Sequence, residues 1–248
     1  MACRIVQVSD CHLVSDLDKT SYNDINPYQS LKAVLQSAAN ESPDILLLTG
    51  DISGDDSVQS YQYLKLLLRE PYVPKVIRII PGNHDVPDLM REELGEDICR
   101  FDGYEDLGRW RIHYMNSKHE GTLGHVSKER LQAFQNDVLE LPRAHHLAVV
   151  HHHPLDTNSW MDKHEWTNRD KFLQLMHYLP RPVRVLYGHI HQARSRTFSG
   201  QEYYACPSSC WQWELQDEFG VSNEAPGYRV MELGDDGEWL TWVNRVPL

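Results

Sequence analysis

Apolar residues fall in short blocks along this chain, and five of the blocks end in a polar cluster. Arg4–Val8 closes on Ser9-Asp10-Cys11-His12, and Asp44–Leu48 closes on Thr49-Gly50-Asp51. Val76–Ile80 closes on Pro81-Gly82-Asn83-His84-Asp85. Leu147–Val150 closes on His151-His152-His153-Pro154, and Val183–Tyr187 on Gly188-His189-Ile190-His191. Apolar runs this short, bounded by turn residues, predict buried strands. Helical patterns lie between them. Asn26-Pro27 reads as an N-cap followed by proline at the first helical position, and Leu31, Val34, Leu35 and Ala38 follow at helical spacing. Further helices are predicted over Tyr61–Leu68, from Ser127 to about Leu139, and over Phe172–Leu179. Arg109–Met115 reads as a strand, and the tail alternates in short β segments at Thr197–Ala205, Tyr228–Leu233 and Leu240–Val246.

The aggregate is an α/β protein with at least five core strands and a β-rich C-terminus. The sequence shows no internal repeat and no low-complexity segment, so residues 1–248 are expected to form one domain. Open α/β sheets build their sites at the C-terminal ends of strands. Five polar clusters at five strand ends would therefore converge on one place.

Composition narrows the partners. The chain has 248 residues, of which 41% are hydrophobic and 24% charged, enough for an ordinary core without disulfides. The formal charge of −12 argues against a nucleic-acid partner, which needs basic surface. It also repels anionic substrates unless bound cations reverse the sign locally. Five cysteines, an odd number, with no charged-then-apolar leader read as reduced cytosolic thiols, so a cytoplasmic location is expected. No apolar stretch approaches ~18 residues, so no membrane span is expected.

The chemistry sits in the clusters. Asp10-Cys11-His12 is D-x-H, and in extended chain residues two apart share a face. Alone it reads as a turn cap, as Gly50-Asp51 reads as a turn dipeptide. Gly82-Asn83-His84-Asp85 places three coordinating or proton-transfer groups after a glycine that permits a tight turn. Gly188-His189-Ile190-His191 sets two imidazoles on one face, behind a glycine that lets backbone come close. Any of the three histidines of His151-His152-His153-Pro154 could join them. Taken together, the set offers carboxylate, imidazole and amide oxygen donors and no thiolate, which suits Mn, Fe, Zn or Co in an open site. Asp51 is the one carboxylate without a partner ligand beside it, and a carboxylate can bridge two ions.

In this order, D-x-H, G-D, G-N-H-D, H-H-x-P and G-H-x-H resemble the calcineurin-like metallophosphoesterase superfamily over residues 10–191. His151–Leu155, Ser159-Trp160-Met161-Asp162, Asn168, Gly188–Gln192, Cys206–Cys210 and Ala225–Arg229 further resemble the bacterial class III cyclic-AMP phosphodiesterases. The resemblance implies a four-layer α/β/β/α sandwich of two mixed sheets flanked by helices. It implies two divalent transition-metal ions, Mn or Fe first and Zn or Co as alternatives. Asp10, His12 and His191 would hold one, Asn83, His152 and His189 the other, and Asp51 would bridge. His152 is the choice when Pro154 anchors H-H-x-P, with His151 and His153 as alternatives. His84 would be the catalytic histidine that faces the substrate, with Asp85 orienting its ring, and Asp162 and Asn168 would line the mouth of the site.

The implied reaction is hydrolysis of a small phosphodiester, 3′,5′-cyclic AMP to 5′-AMP, by metal-activated hydroxide. Glycerophosphodiesters, 2′,3′-cyclic nucleotides and phosphoproteins are the rival substrates of the same machinery. A non-enzymatic scaffold on this fold is the rival class, and the filled ligand positions disfavour it. Trp160, Trp166, Trp211 and Trp213 lie in segments near the clusters; packing is the first reading, and stacking on a purine the second.

Overall fold

The computed structural model describes residues 3–248. Three parallel strands, β1 (Cys3–Val8), β2 (Ile45–Thr49) and β3 (Val76–Ile80), are linked by helices α1 (Pro27–Ala39) and α2 (Val58–Leu67). Helix α3 (Pro87–Leu94) follows β3. The second sheet takes β4 (Gly103–Leu107), β5 (Trp110–Met115), β6 (His145–Val150), β7 (Val183–Tyr187), β8 (Arg194–Phe198) and β9 (Gln201–Ala205), with α4 (Lys128–Glu140) and α5 (Arg169–His177) as crossovers. A small hairpin, β10 (Gln212–Trp213) and β11 (Val221–Ser222), precedes β12 (Gly227–Leu233) and β13 (Trp239–Arg245).

The chain returns at its end to the first sheet, whose order is β13-β12-β1-β2-β3, with β12 antiparallel to β1. The second sheet runs β4-β5-β6-β7-β9-β8. It is parallel through β5, β6, β7 and β9 and antiparallel at both edges. Both sheets are mixed, as expected.

The layers follow from the pleat. On β1 and β2, Val6, Val8, Leu46 and Leu48 face the helices, packing with Leu31, Val34 and Leu64. The alternate residues Ile5, Ile45 and Leu47 face the other sheet and meet Ile112, Leu147, Val149 and Leu186. On β6, Ala148 and Val150 turn outward to Phe134 of α4 and Phe172 of α5. Strands buried on both faces read as continuous apolar runs, which is why they stood out in the sequence. Three apolar interfaces between four layers make the α/β/β/α sandwich.

Buried polar side chains cross between the sheets. Gln7 of β1 donates to the Tyr187 carbonyl at 3.2 Å, and the Arg229 guanidinium of β12 donates to the Ala205 carbonyl at 2.9 Å. Both carbonyls lie at the C-terminal ends of second-sheet strands, so the sheets are pinned where the clusters emerge.

The helix signals hold locally. Asn26 caps α1, its side chain accepting from the Gln29 amide at 2.9 Å, with Pro27 next. Ser127 caps α4 in the same way. The segment expected at Thr197–Ala205 is instead two strands, β8 and β9, joined at Ser199-Gly200. Both residues have positive φ, at 51° and 78°, as a two-residue hairpin turn requires.

Candidate metal centre

Asp10 and His12 follow β1, Asp51 follows β2, and Asn83 and His84 follow β3. His151 follows β6, and His189 and His191 follow β7. The cluster is therefore shared between the sheets, five residues on the first and three on the second. The first loops are laced together: the Asp10 amide donates to the Gly50 carbonyl at 3.0 Å and the His12 amide to the Asp51 carbonyl at 2.9 Å. Asp10, His12, Asp51, His189 and His191 all have φ between 45° and 68°. Non-glycine residues rarely adopt that region, and backbone strain of this kind concentrates at functional sites. Two glycines make the approach possible. A Cβ on Gly82 would strike Asp51, and a Cβ on Gly188 would strike Ser9.

The side chains converge. His12 Nε2 lies 3.0 Å from His191 Nε2, and His191 Nε2 lies 3.5 Å from Asp10 Oδ1. Asp51 Oδ2 faces His12 Nε2 at 3.9 Å and His151 Nε2 at 3.4 Å. His151 Nε2 is also 3.2 Å from Asn83 Oδ1. Potential ligand atoms of Asp10, His12 and His191 lie within 4.8 Å of one another, as do those of Asp51, His151 and His189. Asp51 stands between the two groups.

Hydrogen bonding to the main chain fixes the tautomers. His151 Nδ1 donates to the Thr49 carbonyl at 2.7 Å and His191 Nδ1 to the Trp211 carbonyl at 2.9 Å. Their Nε2 atoms then hold lone pairs pointing inward. His189 is the reverse: Nε2 donates to the His164 carbonyl at 3.0 Å, leaving Nδ1. The His151 lone pair faces two oxygen acceptors, Asn83 Oδ1 and Asp51 Oδ2, so it needs a proton or a cation between them. A buried nest of lone pairs is the arrangement that divalent ions satisfy, with main-chain carbonyls orienting the rings. The donor set fits two ions.

Burial and neighbouring charges set the protonation of the cluster. Burial lowers His12 to about 4 and pushes His189 and His191 well below their usual range, which keeps them neutral. Burial raises Asp10 to about 7, although His151 opposes it. Burial would also raise Asp51, but the charge and hydrogen bond of His151 hold it well below the usual carboxylate range. His151 is pushed up to about 9 because Asp51 outweighs its burial.

Two residues sit differently from the expected arrangement. The structure brings His151, rather than His152, to the cluster. His152 Nδ1 is 2.8 Å from the Ser117 hydroxyl and its ring stands edge-on to His151, at 88°. His153 turns to Asp162, at 3.5 Å. Asp85 does not orient the His84 ring. Its buried carboxylate accepts the amides of Ile52, Ser53 and Gly82 at 2.8 to 3.2 Å and the Tyr61 hydroxyl at 3.2 Å. It braces the β2 and β3 loops, and burial raises its pKa to about 6. His84 is the least buried of the cluster, its amide donating to Asp51 Oδ1 at 2.8 Å and its ring edge-on to His12 at 5.2 Å.

Asp162 and Asn168 make local structural bonds. Asp162 closes the capping box of the turn Trp160–His164, and Asn168 bonds the Val126 amide and the Trp166 indole. Trp166 is core, as the packing reading held. Nothing in the sequence marked Lys118, whose ammonium donates to the Asn83 carbonyl at 2.6 Å and steadies that loop. Nor did it show that Trp211 stacks on His12 at 5.1 Å and Trp213 on His191 at 4.6 Å. Cys206 and Cys210 are free, and burial raises both thiols, Cys206 to about 12.

With two mixed sheets and a buried Asp/Asn/His cluster at the strand ends, the chain belongs to the calcineurin-like phosphoesterase family, whose pattern it matches over residues 3–193. It is a metal-dependent phosphoesterase. It is 31% identical to a 3′,5′-cyclic-nucleotide phosphodiesterase of Nostoc sp., covering 98% of this chain and 92% of that one. It is 32% identical to a 3′,5′-cyclic adenosine monophosphate phosphodiesterase of Pseudomonas aeruginosa, covering 98% and 89%. Among solved structures, a dimetal phosphatase from Danio rerio has the same fold, with a TM-score of 0.68 at 11% identity over 96% of this chain and 98% of that one. No helix among the described residues is long and apolar enough to cross a membrane.

Proposed function

We propose that this chain, acting as a single cytoplasmic domain, hydrolyses 3′,5′-cyclic AMP to 5′-AMP at a binuclear centre. Asp10, His12 and His191 would hold one ion and Asn83, His151 and His189 the other, with Asp51 shared between them. The observation that carries the reading is Asp51 Oδ2 set between His12 and His151, 3.9 Å from one and 3.4 Å from the other. The activities named for the Nostoc and Pseudomonas relatives support the substrate. Divalent ions of the Mn or Fe type, when bound, supply Lewis-acid polarisation of the phosphate and an acidified water.

The chain's own residues do the rest. Main-chain carbonyls at Thr49, His164 and Trp211 aim the imidazoles inward. His84, tethered through its amide to Asp51 Oδ1, presents its ring to the open side, where it donates a proton to the departing 3′ oxygen. A sugar alkoxide is a poor leaving group, so this proton matters. The acidic surface disfavours a nucleic-acid substrate.

The test is a panel of cyclic AMP, a bis-aryl phosphate, a glycerophosphodiester and phosphomonoesters, assayed with Mn²⁺ and again after chelation. Cyclic AMP should give 5′-AMP by chromatography, monoesters should be much poorer, and chelation should stop turnover. Untouched cyclic AMP beside efficient glycerophosphodiester turnover would overturn the substrate.

A further inference from the structure

A cavity of about 210 Å³ opens directly off the metal centre. Asp51, Asn83, His189 and His191 line its buried end, and Tyr22, Trp160, Trp213 and Phe219 line the rest with His84. These four rings come from separate parts of the chain: the turn Tyr22–Asp24, the turn Trp160–His164, β10 and the loop of the β10–β11 hairpin. They nevertheless form one cluster. Phe219 is 5.0 Å from Trp160, 5.5 Å from Trp213 and 5.9 Å from Tyr22, centroid to centroid. The hairpin is fastened to the neighbouring turn, with the Trp160 amide on the Gln216 carbonyl at 2.9 Å and the Trp160 indole on the Glu214 carbonyl at 3.0 Å.

Two features show what this rim takes. First, Phe219 is 52% and Tyr22 41% exposed, so rings at the opening present apolar faces to solvent with little else to cover them. Second, the same hairpin carries Glu214, Asp217 and Glu218. An anionic group lodged there would be repelled, whereas a neutral flat one would not. The span also fits. From His191 to Trp213 is 4.6 Å and from Trp213 to Phe219 is 5.5 Å. One ring, Trp213, thus lies between His191 and Phe219, much as one sugar lies between phosphate and base in a nucleotide.

We propose that Phe219, Trp160 and Tyr22 form the nucleobase subsite, with the base stacking on Phe219 while the phosphate lies at Asp51. This rests on the nucleotide reading above. Stacking uses the π-face that every base has, so the subsite accepts adenine and guanine alike. The indole N–H of Trp160, the group best able to read a base edge, is spent on Glu214.

The experiment measures binding, separately from turnover. Mn²⁺-loaded protein is titrated calorimetrically with 5′-AMP and with ribose 5-phosphate, for the wild type, Phe219→Ala and Phe219→Tyr. The exposed ring can be removed without opening the core. Phe219→Ala should weaken AMP by at least about fivefold and leave ribose 5-phosphate within about twofold, and Phe219→Tyr should restore AMP. Equal affinity of the wild type for the two ligands, or equal loss of both in Phe219→Ala, overturns the subsite. If the AMP pattern appears and cyclic AMP is not hydrolysed, the substrate reading falls and the subsite stands. If cyclic AMP is hydrolysed without the pattern, the reverse holds.

Discussion

Asp51 Oδ2 lies 3.4 Å from Nε2 of His151, whose other ring nitrogen is committed to the Thr49 carbonyl. That commitment leaves His151 one function, to fill the space beside Asp51. His152, one residue on, spends Nδ1 on Ser117 instead.

The pair gives a direct test. His151→Ala should leave the protein short of one of the two ions expected of such a centre, with turnover lost alongside. His152→Ala should retain metal content close to the wild type. Elemental analysis of both variants after Mn²⁺ loading and dialysis decides it. Loss of metal from His152→Ala with retention in His151→Ala reverses the assignment.

His84 separates metal binding from proton transfer. Its backbone amide, which a substitution keeps, is what touches Asp51. His84→Ala should therefore hold its metal while kcat on cyclic AMP falls about 10²–10⁴-fold. With an aryl ester, whose phenolate leaves without help, the loss should shrink towards unity. An equal loss on both substrates would show that His84 does not protonate the leaving group.

Acid stability tests a region outside the centre. His146 Nε2 meets the Leu141 carbonyl at 3.1 Å, and His113 Nε2 meets His146 Nδ1 at 3.0 Å, so His113 Nδ1 is left as a buried acceptor. Burial first, then His146, pushes the His113 pKa from 6.5 down to about 2. Below pH 6.5 the unfolded chain takes a proton that the folded chain refuses, so this residue subtracts stability as pH falls. Between pH 7 and pH 5 it should cost the wild type about 2 kcal/mol that His113→Leu does not lose. Urea melts of both proteins across that range check the sign and the size. Parallel pH profiles would show that His113 takes up its proton in the folded state.

Much of this was legible in sequence because buried parallel strands announce themselves. β2 and β7 contain almost nothing but apolar residues, and their polar ends fell where the ligands are. Glycines 82 and 188 marked the close approaches. Which histidine of His151-His152-His153 turns inward was not legible, because the choice is made elsewhere: by the Thr49 carbonyl on the other sheet, and by Ser117 and the close backbone of Gly124, which hold His152 aside. Asp85 misled for a related reason. Neighbours in a tight turn point apart, and the partners of Asp85 came from residues 52, 53 and 61. Helix α3 escaped because only Met90 of its eight residues is buried, which leaves no apolar period to read.

The pins at Gln7 and Arg229 hold together two sheets that each carry part of the expected donor set. Neither sheet could grip a pair of ions by itself. Docking of the sheets is thus what brings the expected ligands face to face. Metal content therefore doubles as a gauge of assembly: a molecule whose halves have docked out of register should load poorly.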